Sequence, residues 1–146
     1  MMPVLLKKYR ILENEYLVYD PQQNDLVLDK AQIQVFCDRH NGLGADGFII
    51  GPVFNGKKIN IKMYNADGSV VRKNEQMLEV FSKYIVDEAY MKDQFFMIFT
   101  LAGKVTVDLF EIGNELQKIS VSDITITDFF ARQIREAGRR DIVCAS

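Results

Sequence analysis

The segment richest in reactive and flexible residues is Asp38-Arg-His-Asn-Gly-Leu-Gly-Ala-Asp-Gly47. Three glycines in six residues allow left-handed backbone angles and let a ligand approach the main chain closely. A dinucleotide fingerprint is excluded because its glycines follow a strand and open a helix, whereas this segment follows a predicted helix and precedes a strand. It also lacks the lysine and hydroxyl residue of a phosphate-binding loop. On its own, the segment therefore indicates a glycine-rich loop between a helix and a strand.

A metal site is a weak interpretation of the same region. Cys37 and His40 are close enough in sequence to share a metal ion. A structural zinc site needs four ligands, however, and His40 is the only histidine while the second cysteine, Cys144, lies far away. We therefore expect no bound metal.

A second dense loop, Asn65-Ala-Asp-Gly-Ser69, allows two interpretations. As structure, Asp67-Gly68 is a tight turn and Ser69 can begin a cap. As function, the Asn65 amide offers a donor and an acceptor together, which suits the carboxylate and ammonium of one amino acid. Spacing alone favours the structural interpretation.

Alternating and helical patterns predict the elements that position these loops. An aspartate-to-glutamine capping box at Asp29 and Gln32 predicts a helix that ends near Asn41-Gly42, and a stripe of apolar residues predicts a second helix from Met77 to Met91. A tight turn is expected at Gly113-Asn114 and a last helix from about Phe129 to Ala137. The predicted strands are Glu15 to Asp20, Phe48 to Phe54, Lys58 to Tyr64, Phe95 to Leu101, Lys104 to Phe110 and Gln117 to Val121.

These elements predict an α+β fold with a mostly antiparallel sheet around one principal helix, because most neighbouring strands are joined by turns too short for parallel crossovers. The length of 146 residues suits one domain, which we place at residues 1–126, with an unassigned helical tail at 127–146. A net charge of −2 argues against a nucleic-acid partner, and no apolar run is long enough for a membrane span. Two cysteines in an otherwise plain sequence fit a reducing cytoplasm.

Four segments together resemble one known family, the diaminopimelate epimerases. They are Cys37-Asp-Arg-His40, Gly42-Leu-Gly-Ala-Asp-Gly47, Met63-Tyr-Asn-Ala-Asp-Gly-Ser69 and Thr100-Leu-Ala-Gly103, in the family's order and near its spacing. The resemblance covers roughly residues 5–110. It implies a domain like the amino-terminal one of that family, whose members are isomerases of lysine biosynthesis that use neither pyridoxal phosphate nor a metal. In the family, two domains each give one cysteine, and the two thiols work on opposite faces of the α-carbon.

Carried over residue by residue, the resemblance implies substrate-binding roles for Asn14 and Asn65 and no catalytic residue. Counted without gaps, the family's cysteine-glycine-asparagine-glycine motif falls on Asn74-Glu-Gln-Met77. An amide has no useful basicity near neutral pH, so Asn74 cannot replace a thiolate. Glu75 is ionisable, but its charge would repel a substrate carboxylate.

The sequence leaves three hypotheses for function. The first is a half-length or degenerate family member that is not catalytically competent alone. The second is an active amino-acid isomerase that uses a base other than cysteine or a partner chain. The third is a binding or interaction module without enzymatic activity. A small amino-acid ligand and a homodimer or second-domain partner are the expected partners, with no cofactor.

Overall fold

The computed structural model describes residues 4–126, so the helical tail predicted at 127–146 lies outside the described residues. Eight strands and three helices occur within that range. The strands are β1 Val4–Ile11, β2 Asn14–Tyr19, β3 Gly47–Asn55, β4 Lys58–Asn65, β5 Val70–Val71, β6 Phe95–Thr100, β7 Gly103–Asp108 and β8 Ser120–Ile126. The helices are α1 Lys30–Cys37, α2 Glu75–Asp87 and α3 Leu109–Gln117.

All eight strands form one sheet, in the order β7-β6-β4-β3-β2-β1-β8, with the short β5 paired to β4. Neighbours are antiparallel except β2 with β3 and β4 with β6. Each parallel pair is linked by a segment that contains a helix, α1 or α2, as parallel strands require. The predicted α+β class with a mostly antiparallel sheet is confirmed.

The principal helix is α2, which packs its apolar stripe against the sheet. Met77, Phe81, Tyr84 and Ile85 are all at most 1% exposed and join a core with residues from β1, β2, β3, β4 and β6. The helix begins at Glu75, two residues before the predicted start, because Asn74 caps it, and it ends at Asp87 rather than at the predicted Met91. Within residues 4–126 there is no helix long and apolar enough to cross a membrane.

The predicted capping box is present at the start of α1. Asp29 accepts a hydrogen bond from the Gln32 backbone N–H, and the Gln32 side chain accepts one from the Asp29 N–H. The predicted end near Asn41-Gly42 was wrong, since α1 stops at Cys37. Asp38 leaves the helix with extended backbone angles and its carboxylate accepts from the backbone N–H groups of His40 and Asn41, which turns the chain into the glycine-rich loop.

The region around Gly113 differs most from prediction. The expected turn at Gly113-Asn114 lies inside α3, and the strand expected from Gln117 begins only at Ser120. Asp108 starts α3 by accepting a hydrogen bond from the backbone N–H of Phe110, so the strand predicted to reach Phe110 ends at Asp108. Packing of the helix on α2, which buries Leu116, outweighs the glycine's preference for a turn.

Candidate active-site region

Sheet register brings the three asparagines singled out in the sequence to one end of the sheet. Tyr16 pairs with Gly47, and Gly47 pairs with Asn65, so the start of β2 and the end of β4 lie in the same row. Asn14 begins β2, and Asn74 caps the start of α2 a few residues after β5 returns along β4. We call this region, defined by Asn14, Asn65 and Asn74, the asparagine end.

At the asparagine end, Asn14 belongs to a hydrogen-bond network with the first turn of α2. Its Nδ2 donates to Gln76 Oε1 at 2.7 Å, and the Tyr16 hydroxyl donates to the same oxygen at 2.9 Å. Burial, followed by the nearby Asp46 charge, raises the pKa of Tyr16, so this hydroxyl stays protonated as a donor at neutral pH. Gln76 Nε2 finds no acceptor among residues 4–126. The network therefore leaves the amide nitrogen of Gln76, a donor, as the side-chain atom that is free to bond another group.

The loop after β4 is a tight hydrogen-bonded turn. Asn65 Nδ2 donates to Ser69 Oγ at 2.9 Å, and Gly68 takes a positive φ of 84°. Asp67 Oδ1 accepts from both the backbone N–H and the hydroxyl of Ser69, and these bonds lower the pKa of the Asp67 carboxyl. The turn leaves Asn65 exposed at the sheet end, with its Oδ1 unbonded to any residue in the described range.

Asn74, the residue to which the resemblance assigns the family's cysteine position, is a helix cap. Its Oδ1 accepts from the backbone N–H of Met77 at 2.9 Å. This is one of the amides that a helix start leaves free to hold an anion. Glu75, exposed in the first turn, adds a negative charge at the same place. The start of α2 is thus occupied by a capping amide and an exposed carboxylate.

The glycine-rich loop is held against the start of β2 by charged side chains. Arg39 contacts Asp46 Oδ1 at 3.0 Å and Glu15 Oε1 at 3.4 Å, while Asp46 Oδ2 accepts from the backbone N–H of Glu15 at 2.8 Å. Lys8 pairs with Glu15 and donates to the Leu43 carbonyl oxygen. The Asp-Arg-His motif therefore anchors the loop beside Asn14.

Neither residue of the weak metal pair is placed for that role. Cys37 is 3% exposed, and burial, with a smaller contribution from Asp46, raises the pKa of its thiol to about 12. His40 is exposed in the loop. Among the described residues, no group of three His, Cys, Asp or Glu side chains is arranged to hold a metal ion. Cys37 is a protonated core thiol at neutral pH, and Cys144 lies outside the described residues.

A cavity of about 460 Å³ opens beside Gln76, between the β1–β2 hairpin, the start of α2 and the end of α3. Burial, then the charges of Glu115 and Glu75, raise the pKa of Glu79. The cavity was not predicted from the sequence, because its glutamates come from α2 and α3 and no helix was predicted at α3. The residues that give it charge are Arg10, Glu75, Glu79, Glu115 and Lys118.

Solved structures share the fold at low identity. A phenazine biosynthesis protein of the PhzF family from Enterococcus faecalis aligns with a TM-score of 0.56 at 12% identity, over 73% of this chain and 40% of that chain. Methylitaconate-delta-isomerase aligns with a TM-score of 0.54 at 15% identity, over 73% of this chain and 35% of that chain. At these identities the likeness concerns the fold alone.

Sequence comparison gives the family. Diaminopimelate epimerase 2 of Nostoc sp. is 33% identical over 111 residues, which are 75% of this chain and 39% of the relative. Diaminopimelate epimerase of Synechocystis sp. is 32% identical over 114 residues, which are 77% of this chain and 41% of the relative. The chain thus spans about two fifths of the length of these relatives. The family described as diaminopimelate epimerase matches residues 8–124, and the chain belongs to that family.

Proposed function

We propose that this chain is a cytoplasmic amino-acid-binding domain of the diaminopimelate epimerase family that does not by itself carry out two-thiol proton transfer. The observation that supports this most directly is the role of Asn74. Its amide caps α2 through the backbone N–H of Met77, at the position that the resemblance assigns to a proton-transferring cysteine. An amide neither takes nor gives a proton at neutral pH, so the reaction has no base at this position.

The other ionisable groups considered, Cys37 and Glu75, do not supply the missing base. The Cys37 thiol is buried within the core, with its pKa raised to about 12. Glu75 is the carboxylate nearest to Asn74 in the sequence, and it faces solvent at the start of α2. The alternative, an active isomerase, needs either Glu75 as a base or a partner chain that contributes a thiol.

Incubation of the purified chain with diaminopimelate in deuterium oxide is expected to leave the α-proton signal and the stereoisomer ratio unchanged. The reason is that stereochemical inversion needs one group to remove the proton and a second to return one on the other face. Proton NMR follows both quantities in one sample. Loss of the α-proton signal with interconversion would contradict the proposal, and a Glu75→Gln variant would then show whether Glu75 is the base.

Binding of an amino acid is supported by the donors and acceptors left free at the asparagine end. Gln76 Nε2 is oriented as a donor by the two bonds that its oxygen accepts, which suits a ligand carboxylate. The exposed Asn65 amide supplies an acceptor for an ammonium group. Glu75, Glu79 and Glu115 favour cationic groups in the adjoining cavity. A ligand with one carboxylate near Gln76 and ammonium groups near the carboxylates, such as a diamino acid, fits this pattern.

Replacement of Asn65 with Ala is expected to weaken diaminopimelate binding about tenfold, which corresponds to roughly 1.4 kcal/mol for one lost hydrogen bond to a charged group. Replacement of Gln76 with Leu is expected to weaken it at least as much. Asn60→Ala is the matched control, because Asn60 lies on the same strand as Asn65 but away from the asparagine end. Isothermal titration calorimetry measures the affinities, and thermal melts confirm that the variants are folded. Equal affinities for all three variants would place the ligand elsewhere.

A further inference from the structure

Strand β6 has apolar side chains on both faces of the sheet. Phe96 and Ile98 point into the core beneath α2 and are 5% and 0% exposed. The alternate residues point to the opposite face, where Phe95 is 57% and Met97 45% exposed. A strand that is apolar on both sides is typical of a strand covered on both sides. In the described part of the chain, one side of β6 is left uncovered.

The uncovered surface extends over the neighbouring strands. α1 packs with residues of β1, β2 and β3, among them Leu17 and Phe48, and so covers only that part of the sheet. Phe99 pairs in register with Asn60 of β4 and Lys104 of β7. We define the open face by the outward side chains of these strands: Lys58, Lys62, Phe95, Met97, Phe99 and Lys104.

The charge of the open face is predominantly positive. Lys58, Lys62 and Lys104 form no ion pair with any residue in the 4–126 range, and Lys58 Nζ lies 5.2 Å from the centre of the Phe99 ring. Asp108, the one acidic residue on the outward positions of β4, β6 and β7, is occupied as the cap of α3 and as acceptor from Gln94. The surface therefore combines an exposed apolar strip with unpaired positive charges, an arrangement that marks interaction surfaces.

We propose that the open face binds an acidic segment of another protein, whose apolar side chains cover Phe95 and Met97 while its carboxylates meet the lysines. Charge complementarity determines this choice of partner. A symmetric contact with a second copy would place lysines against lysines, which is repulsive, because Asp108 is already occupied as the cap of α3 and as acceptor from Gln94. Single-stranded nucleic acid binds by stacking its bases on the free faces of aromatic side chains. The Phe99 ring is less suited to this, because Lys58 Nζ already lies over it.

The test is an NMR titration of the isotope-labelled full chain with a peptide of alternating glutamate and leucine. Shifts are expected at residues 95–99 and at Lys104, and they weaken as salt is added. The double variant Lys62→Glu with Lys104→Glu is expected to bind at least tenfold more weakly. Lys30→Glu with Lys92→Glu is the matched control, since it makes the same charge change on exposed lysines that lie outside the open face and leaves affinity unchanged.

Three outcomes would overturn the proposal. Equal weakening in both double variants would mean that only net charge matters. Tighter binding of an oligothymidine than of the acidic peptide at the same residues would make the surface a nucleic-acid site. A dimer in sedimentation velocity that is lost in Phe95→Ser would mean that a second copy covers it. Because the substitutions are on exposed side chains, thermal melts of every variant should match the parent chain.

Discussion

Replacement of Gly42 with Ala is expected to destabilise the fold by about 3 kcal/mol or more and to lower the melting temperature by roughly 10 °C. A Cβ atom at this position would lie 1.8 Å from the Val35 carbonyl oxygen, and 2.9 Å and 3.0 Å from those of Phe36 and Asp38. All three are backbone atoms at the end of α1, so no side-chain rotation relieves the overlap. Either the last turn of the helix or the glycine-rich loop must move.

Gly113→Ala is a control for which the opposite change in stability is expected. Gly113 lies inside α3, and an added Cβ there meets no atom within 4 Å. Alanine in a helix interior is favoured over glycine by about 0.8–1.0 kcal/mol, so this variant is expected to be slightly more stable than the parent. Urea unfolding followed by circular dichroism measures both changes. A Gly42→Ala chain as stable as the parent would mean that the loop tolerates displacement and that its packing on α1 is not required.

The Gly42 substitution also tests how the glycine-rich loop is linked to the asparagine end. Gly42 N–H donates to the Asp38 carbonyl oxygen at 3.0 Å, which shapes the loop that carries Arg39 and Asp46. These two residues contact Glu15, the neighbour of Asn14. If the loop moves in Gly42→Ala, the Asn14 side-chain resonances should shift in NMR spectra even where the chain remains folded.

Local patterns were enough to predict most elements of this fold. The capping box at Asp29 and Gln32 needs only four consecutive residues, and it forms as expected. The alternation of Ile59, Ile61 and Met63 predicted the buried face of β4, and all three are at most 4% exposed. In each case the interacting atoms lie a few residues apart, so residue type and spacing contain the needed information.

Contacts between distant parts of the chain were not predictable in this way. Gln76 was counted in the sequence only as a departure from the family's asparagine, yet its oxygen joins Asn14 and Tyr16, which lie 62 and 60 residues away. The helix around Gly113 was missed because the turn preference of Gly-Asn is local, whereas the packing on α2 that stabilises the helix is not. Residue spacing describes neither kind of contact, since both depend on the completed fold.

Asp20 is the clearest case of such a contact, and its replacement with Ala is expected to cost about 2–4 kcal/mol of stability. The side chain is 2% exposed. One carboxylate oxygen accepts from the hydroxyls of Tyr84 and Tyr90, the latter at 2.6 Å, and the other accepts from the backbone N–H of Gln22 at 2.7 Å. Burial and then the bond to Asp20 raise the pKa of Tyr84, which keeps its hydroxyl protonated as a donor.

The loss of stability in the Asp20→Ala chain arises from Tyr84, the hydrogen-bond partner that remains buried. Tyr84 is 1% exposed, so without the carboxylate its hydroxyl loses the acceptor that the fold provides. Asp25→Ala, an exposed aspartate nearby in the chain, controls for loss of charge and should change stability by less than about 0.5 kcal/mol. Because Tyr84→Phe removes the stranded hydroxyl, it should cost less in the Asp20→Ala background than in the parent chain. Additive losses in this double-mutant cycle, measured by urea unfolding, would mean that the two side chains do not stabilise the fold through each other.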